Sequence, residues 1–236
     1  MKYFVVNSKN RLDYNESTHS FKIKLSNTIN ITEGVQLKYC SIPFTEYLIN
    51  DYSNILTIDD TNITLTKGNY NITDLLTHLN TKIQVSFANM TVTYNSSTLK
   101  MNFENDEDFT LNFSNYNTEL NEILGFTKNE VYSSTSNVLE SDKVINLQGP
   151  SSIYMYIPEI HQDVYTLSSK DIVNIGYTIP ITCNREGIIE MNNLQGIDNF
   201  ISLSSKFNYI TIELYKEKNR TFNINGADIL LVFTYV

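Results

Sequence analysis

Apolar and polar positions alternate with a period of two along most of this chain. Phe21, Ile23 and Leu25 alternate with Lys22 and Lys24, and Val35, Leu37 and Tyr39 alternate with Gln36, Lys38 and Cys40. The same pattern places Met90, Val92 and Tyr94 around Thr91 and Thr93, and Leu99, Met101 and Phe103 around Lys100 and Asn102. It recurs at Phe109, Leu111 and Phe113, and at Ile210, Ile212 and Leu214. Successive side chains of a strand point to opposite faces, so each run predicts a strand with one dry and one wet face, as in antiparallel sheet. The runs at 153–157 and 229–236 are more continuously apolar and predict strands buried on both faces.

Punctuation between the runs fits this reading. Asn95-Ser96-Ser97-Thr98 predicts a hairpin loop, Lys67-Gly68-Asn69 breaks a Thr/Ile strand, and Asn225-Gly226 precedes the last strand. Gly68 and Gly226 suit backbone positions of positive φ. Helices are few. Leu75, Leu76, Leu79 and Ile83 follow a 3.6-residue period and predict a helix over 73–83, capped by Asn71 or Thr73. A second, short helix is predicted over 119–124 and ends at Gly125. The stretches 127–143 and 161–177 read as long loops. No repeat or linker is visible. The pattern predicts an all-β fold, a single jelly-roll β-sandwich with one or two short helices in its connections. Residues 1–32 read as an N-terminal arm with the first strands, and 33–236 as one jelly-roll domain with no large insertion.

Composition narrows the classes. A chain of 236 residues buries roughly 70–75% of its unfolded surface on folding, enough for a core without staples. No run approaches the length of a membrane helix, and the apolar run near Met1 is too short for a signal peptide. Two cysteines, Cys40 and Cys183, make no disulfide framework and read as reduced thiols of a protein assembled in the cytoplasm. A sequence pI near 4.8 argues against a dedicated nucleic-acid binder. The charge is uneven, however. Residues 1–24 hold Lys2, Lys9, Arg11, Lys22 and Lys24 against Asp13 and Glu16, so this segment is +3 in a chain of net charge −9. It reads either as a solvated strand or as an arm facing a polyanion or an acidic neighbour. Charged residues are only 18% of the chain, so Asn, Ser and Thr must cover much of the surface. Neutral polar side chains cost little to bury at a contact, and this favours assembly.

The search for chemistry identifies no catalytic, cofactor-binding or metal-binding residues. His19, His78 and His161 lack partners at metal-ligand spacing. The acidic run Glu104-Asn105-Asp106-Glu107-Asp108 lacks the alternating ligands and central glycine of a calcium loop and reads as a solvated turn, as does Asp59-Asp60. No phosphate loop, dinucleotide fingerprint or nucleophile elbow occurs. Trp is absent, which leaves Tyr and Phe as the only stacking platforms for sugars. Asn-x-Ser/Thr sequons at Asn15, Asn30, Asn62, Asn71, Asn89, Asn95, Asn112 and Asn219 are expected by chance at this composition.

The order of several segments carries a further signal. Gly34-Val35-Gln36-Leu37-Lys38-Tyr39-Cys40-Ser41-Ile42-Pro43-Phe44 is followed by Gly68-Asn69-Tyr70-Asn71-Ile72-Thr73-Asp74-Leu75-Leu76. Then come Ile123-Leu124-Gly125-Phe126, Val144-Ile145-Asn146-Leu147-Gln148-Gly149 and Ser152-Ile153-Tyr154-Met155-Tyr156. Ile179-Pro180-Ile181 with Gly187-Ile188-Ile189, and Phe222-Asn223-Ile224-Asn225-Gly226-Ala227-Asp228, complete the series. In this order the segments resemble the penton, or minor capsid, proteins of virophages and Polinton-like viruses. None is a catalytic motif. The resemblance implies a viral structural protein of the virion, a homopentamer at the five-fold vertices of an icosahedral capsid that contacts the major capsid protein. It implies neither an enzyme nor a cofactor. Some relatives carry an insertion domain for outward projection, and this chain reads as having room only for loops. The alternative is a lectin-like or receptor-binding jelly-roll module that takes a host glycan on tyrosine-rich loops.

Overall fold

Three strands open the chain: β1 (Lys2–Asn7), β2 (Ser20–Ile31) and β3 (Gly34–Pro43). They come from a computed structural model that describes residues 1–12, 19–114, 119–160, 176–193, 200–217 and 220–236. Residues 47–149 then form a compact unit of their own, and the chain returns to the first unit at residue 150. The inserted unit holds β4 (Ile55–Ile58), β5 (Thr61–Thr64), α1 (Ile72–Ile83), β6 (Thr91–Asn95), β7 (Lys100–Glu104), β8 (Thr110–Asn112), α2 (Leu120–Leu124), β9 (Val131–Ser133) and β10 (Val138–Glu140). The first unit resumes with β11 (Ser152–Tyr156), β12 (Tyr177–Pro180), β13 (Ile188–Asn192), β14 (Phe200–Ser202), β15 (Ser205–Lys216), β16 (Arg220–Thr221) and β17 (Leu230–Tyr235).

Eight strands of the first unit make two antiparallel four-stranded layers. One runs β1-β17-β3-β13, with β14 extending β13 along the same side of β3; the other runs β2-β15-β11-β12, with β16 folded back on β15. In strand order along this unit these are first-eighth-third-sixth and second-seventh-fourth-fifth, the arrangement of a jelly roll. The all-β expectation therefore holds. The core between the layers is built from the alternating rows read in the sequence: Phe21, Ile23, Val35, Leu37, Ile210, Ile212 and Leu214 are all buried.

Phe4, Val6, Phe21, Ile23, Ile29 and Ile31 lie in this core, so residues 1–32 supply two edge strands of the sandwich. Residues 47–149 cluster around a separate core of Leu56, Ile58, Leu75, Leu79, Phe103, Phe113, Leu124 and Phe126. Both units use the same alternating strands, and no Pro- or Gly-rich linker separates them. The pattern therefore predicts strands without saying which of them share a core.

Smaller departures have local causes. β11 and the start of β17 bury alternate residues only, since Tyr154, Tyr156, Leu230 and Val232 face outward. The predicted loop at 127–143 contains β9 and β10, which pair with β8 and β7. The other predicted loop, at 161–177, falls mainly outside the described residues. The predicted helix is α1, and Asn71 caps it: its Oδ1 accepts from the Asp74 N–H at 2.9 Å while its Nδ2 donates to the Asp74 carboxylate at 2.7 Å.

Two glycines separate requirement from coincidence. Gly125 ends α2 at φ +82°, with the Phe126 N–H reaching back to the Asn121 carbonyl and the Gly125 N–H to that of Glu122. This is the Schellman arrangement. An added Cβ there would sit 2.3 Å from the Lys143 carbonyl oxygen. Gly68 is different. It has no positive φ, contrary to expectation, and bridges Ile49 in both directions at 3.0 Å; its added Cβ would meet the Tyr70 ring at 3.5 Å. Gly125→Ala should destabilise the inserted unit by about 2–3 kcal/mol, and Gly68→Ala should stay within about 0.5 kcal/mol of wild type. Urea unfolding followed by circular dichroism checks both.

Candidate interaction surfaces

The structure separates the sequence-flagged chemistry into structural roles. Among the described residues no three His, Cys, Asp or Glu side chains converge as a metal site. His161 lies outside the described residues. His78 Nε2 accepts the Thr66 N–H at 2.9 Å, and its ring stacks on Tyr70 at 5.0 Å. Burial, followed by the charge of Lys82, lowers its pKa. Cys40 is fully buried on β3, and burial raises its thiol pKa to about 11, with the Met191 backbone opposing and Glu190 adding to the shift. Cys183 is only partly buried, and burial also raises its pKa. Both are free thiols. The acidic run ties loops together: Asp108 accepts from the Ser134 hydroxyl and the Asn137 N–H, and Asp106 accepts from the Asn89 amide. Asp59 and Asp60 form a two-residue hairpin between β4 and β5 with φ of 44° and 61°, and Asp59 caps the Thr110 N–H at 2.7 Å.

Sequon asparagines are similarly occupied. Asn71 caps α1, Asn95 caps the Ser97 N–H, Asn112 caps the Ser114 N–H, and Asn62 accepts from the Thr57 hydroxyl. Short amide side chains satisfy local backbone groups at turns. Asn15 and Asn219 fall outside the described residues.

The end of β15 holds a group that sequence reasoning missed. Lys216 Nζ lies 3.2 Å from Glu46 Oε1, and both side chains are 4% exposed. The Asn223 N–H also points at that oxygen, at 3.4 Å. Arg185 donates to the Glu46 carbonyl and lies over the Phe44 ring at 4.9 Å. The next residue, Glu217, accepts from the Ser151 N–H and hydroxyl at 3.3 and 2.8 Å. Glu46 is the last residue of the first unit before the insertion, and Ser151 lies just after the return. Two consecutive side chains, the last of β15 and the one after it, thus hold both points where the sandwich opens to its insertion. Their separation in sequence, 46 against 216, leaves no local signal.

The outer face of the second layer carries a row of half-buried tyrosines. Tyr154 lies opposite Tyr215 and Tyr156 opposite Glu213, while Tyr209 lies opposite Lys24. Lys22 Nζ sits 5.1 Å over the Tyr209 ring, and Tyr215 donates to Glu213 at 2.6 Å. Burial, and then the Glu213 hydrogen bond and charge, push the Tyr215 phenol well above its ordinary range. Burial lowers the pKa of the neighbouring His19, and Glu213 opposes that shift. Aromatic faces and hydrogen-bonding groups suit this surface to contact.

The sandwich also has two unlike flanks. β1 and β2 are the edges on one side, joined through residues 8–12, where Arg11 bridges Ile23 and the Leu12 N–H reaches the Lys22 carbonyl. β12 and β13 are the edges on the other side.

No protein-family model matches this chain. No curated protein matches it by sequence. Among solved structures, it is similar over 100% of both chains to the crystal structure of SeMet-labeled mavirus penton protein, with a TM-score of 0.51 and 12% sequence identity. At that identity the likeness establishes the fold, an all-β jelly roll.

Two outcomes test the buried groups. Glu46→Gln removes the countercharge of a buried ammonium and should cost about 3 kcal/mol or more, while adding Lys216→Met should recover most of the loss. Denaturant melts of the three variants check this. For His78 the folded-state pKa lies below the unfolded value of 6.5. Between the two values the unfolded chain binds more protons, so stability falls as pH drops below about 6.5 and is unaffected above it. The midpoint of urea unfolding should therefore decline on acidification more steeply in wild type than in His78→Gln.

Proposed function

We propose that this protein is a structural vertex subunit, a penton or minor capsid protein. Five copies would form a closed ring at each five-fold vertex of an icosahedral shell and contact the surrounding major capsid protein. The observation that carries the reading is the jelly roll with a full-length likeness to the mavirus penton protein. The unequal flanks of the sandwich support it, because a five-membered ring needs a heterologous contact, one flank of each copy against the other flank of the next. The work is shape and closure. It asks for no catalysis, cofactor or specific nucleic acid, and it places the protein in the virion after assembly in the host cytoplasm. The basic strands are then part of the subunit wall.

Light scattering on the purified chain tests the ring. The expected mass is near five times 27.2 kDa, and a mass that stays at one chain across the accessible concentration range overturns the reading.

The tyrosine row favours a second reading, a lectin-like face that stacks sugar rings on Tyr154, Tyr156, Tyr209 and Tyr215. It predicts saturable binding on a glycan array that Tyr154→Ala and Tyr209→Ala weaken together. An array with no saturable signal removes it.

A further inference from the structure

The charge asymmetry read in the first 24 residues acquires a location in the fold. Lys2 and Lys9 are exposed on and beside β1, and Lys22 and Lys24 are exposed on the outer face of β2, so all four belong to the two edge strands of one flank. Arg11, between the two strands, is held by Asp228 at 3.3 Å. Beside the lysines, Tyr3 and Val5 stand 66% and 55% exposed. The opposite flank has the complementary character. β13 presents exposed Glu190 and, at 55%, exposed Ile188, and Glu186 is exposed in the turn that leads into it. The nearby cations are turned to other partners: Lys38 donates to the Asn193 carbonyl at 3.3 Å, and Arg185 to the Glu46 carbonyl. Among the described residues β1 pairs only with β17 and β13 only with β3, so each keeps one open edge of backbone N–H and C=O groups. Open edges are templates for pairing with another chain.

We infer that the β1/β2 flank of one copy docks on the β12/β13 flank of the next. Lys2 and Lys9 then face Glu186 and Glu190, and Tyr3 and Val5 cover Ile188. The occupant is a second copy of this chain. The basic flank finds its acidic complement on the same molecule, and the two patches lie on opposite sides of one rigid sandwich, as a head-to-tail ring requires. This inference rests on the ring reading above and names its contact.

Charge reversal tests it. Lys2→Glu with Lys9→Glu should weaken assembly of the full chain about tenfold or more at low salt, and Glu186→Lys with Glu190→Lys should do the same. The chain carrying all four substitutions restores complementarity with both signs inverted, and its ring should return toward wild-type strength. Circular dichroism of each variant should match wild type, since all four side chains are exposed. Light scattering reads the outcome. Rings that survive both pairs of reversals overturn this contact and leave the ring reading standing, as does a four-fold variant that fails to reassemble while remaining folded. Unchanged rings in Lys2→Glu/Lys9→Glu that have lost heparin binding assign the basic flank to a polyanion and also overturn the contact. A wild-type chain that never exceeds monomer mass overturns the ring reading and this contact with it.

Discussion

The sandwich depends on the pairing of the first strand of the chain with the last. β1 and β17 run in register from Lys2 opposite Tyr235 to Asn7 opposite Leu230, and Phe4 stacks on Phe233 at 4.9 Å. β17 in turn pairs with β3, so removing β1 would expose Phe233 and the inner face of the strand that ties the layer together. The contact spans almost the whole sequence, and contacts of such separation carry a large closure entropy before they contribute anything. Once made, the pairing fixes the amino-terminal lysines on a rigid edge. The basic segment that reads in the sequence as a solvated strand or an arm is therefore an edge of the sandwich.

The same closure explains how the chain accommodates an insertion between β3 and β11. Loop entropy grows only slowly with loop length, so a long connection costs little more than a short one. It must also bury its own apolar residues, and residues 47–149 do so around α1 and the strands beside it. The remaining requirement is a fixed exit and return. Lys216 holds Glu46 and Glu217 holds Ser151 at the end of a single strand. A buried ion pair is a poor source of net stability, because desolvation consumes most of the Coulomb energy. Its stronger effect is geometric, since a displaced Glu46 would leave the Lys216 ammonium in a dry site.

How far the sequence could be read follows from the range of each interaction. The strands at 21–25, 35–39, 210–214 and 90–113 were legible because the period-two pattern is local. So were the Asn71 cap and the Gly125 stop, which each need only a few neighbouring residues. Gly68 misled because a glycine in a turn-like triplet looks the same whether or not its φ is positive; here it sits in an extended bridge to Ile49. The continuous apolar run at 153–157 misled because Tyr154 and Tyr156 count as apolar in a pattern, yet stand half-exposed on the outer face, and the run at 229–236 misled at its start, where Leu230 and Val232 face outward. The division into two units and the Glu46–Lys216 pair were not legible at all. Both are set by partners far apart in sequence, and neither leaves a composition mark.

A closed ring with an odd number of identical members cannot be built from a self-complementary patch, since a two-fold contact pairs subunits and stops. It requires one subunit to carry two different surfaces that fit each other. A jelly roll supplies these by topology alone: its first two strands fall on one flank, and its fifth and sixth fall on the other. Any charge bias between the start of the chain and its later part therefore becomes a bias between flanks. In this protein the early strands carry Lys2, Lys22 and Lys24, and the later flank carries Glu186 and Glu190. Lysines on exposed edges also discourage indiscriminate strand pairing, because like-charged edges repel. In the proposed ring, the same residues that would reject an identical edge would attract an acidic one, so one charge pattern would both oppose open-ended pairing and select the head-to-tail contact.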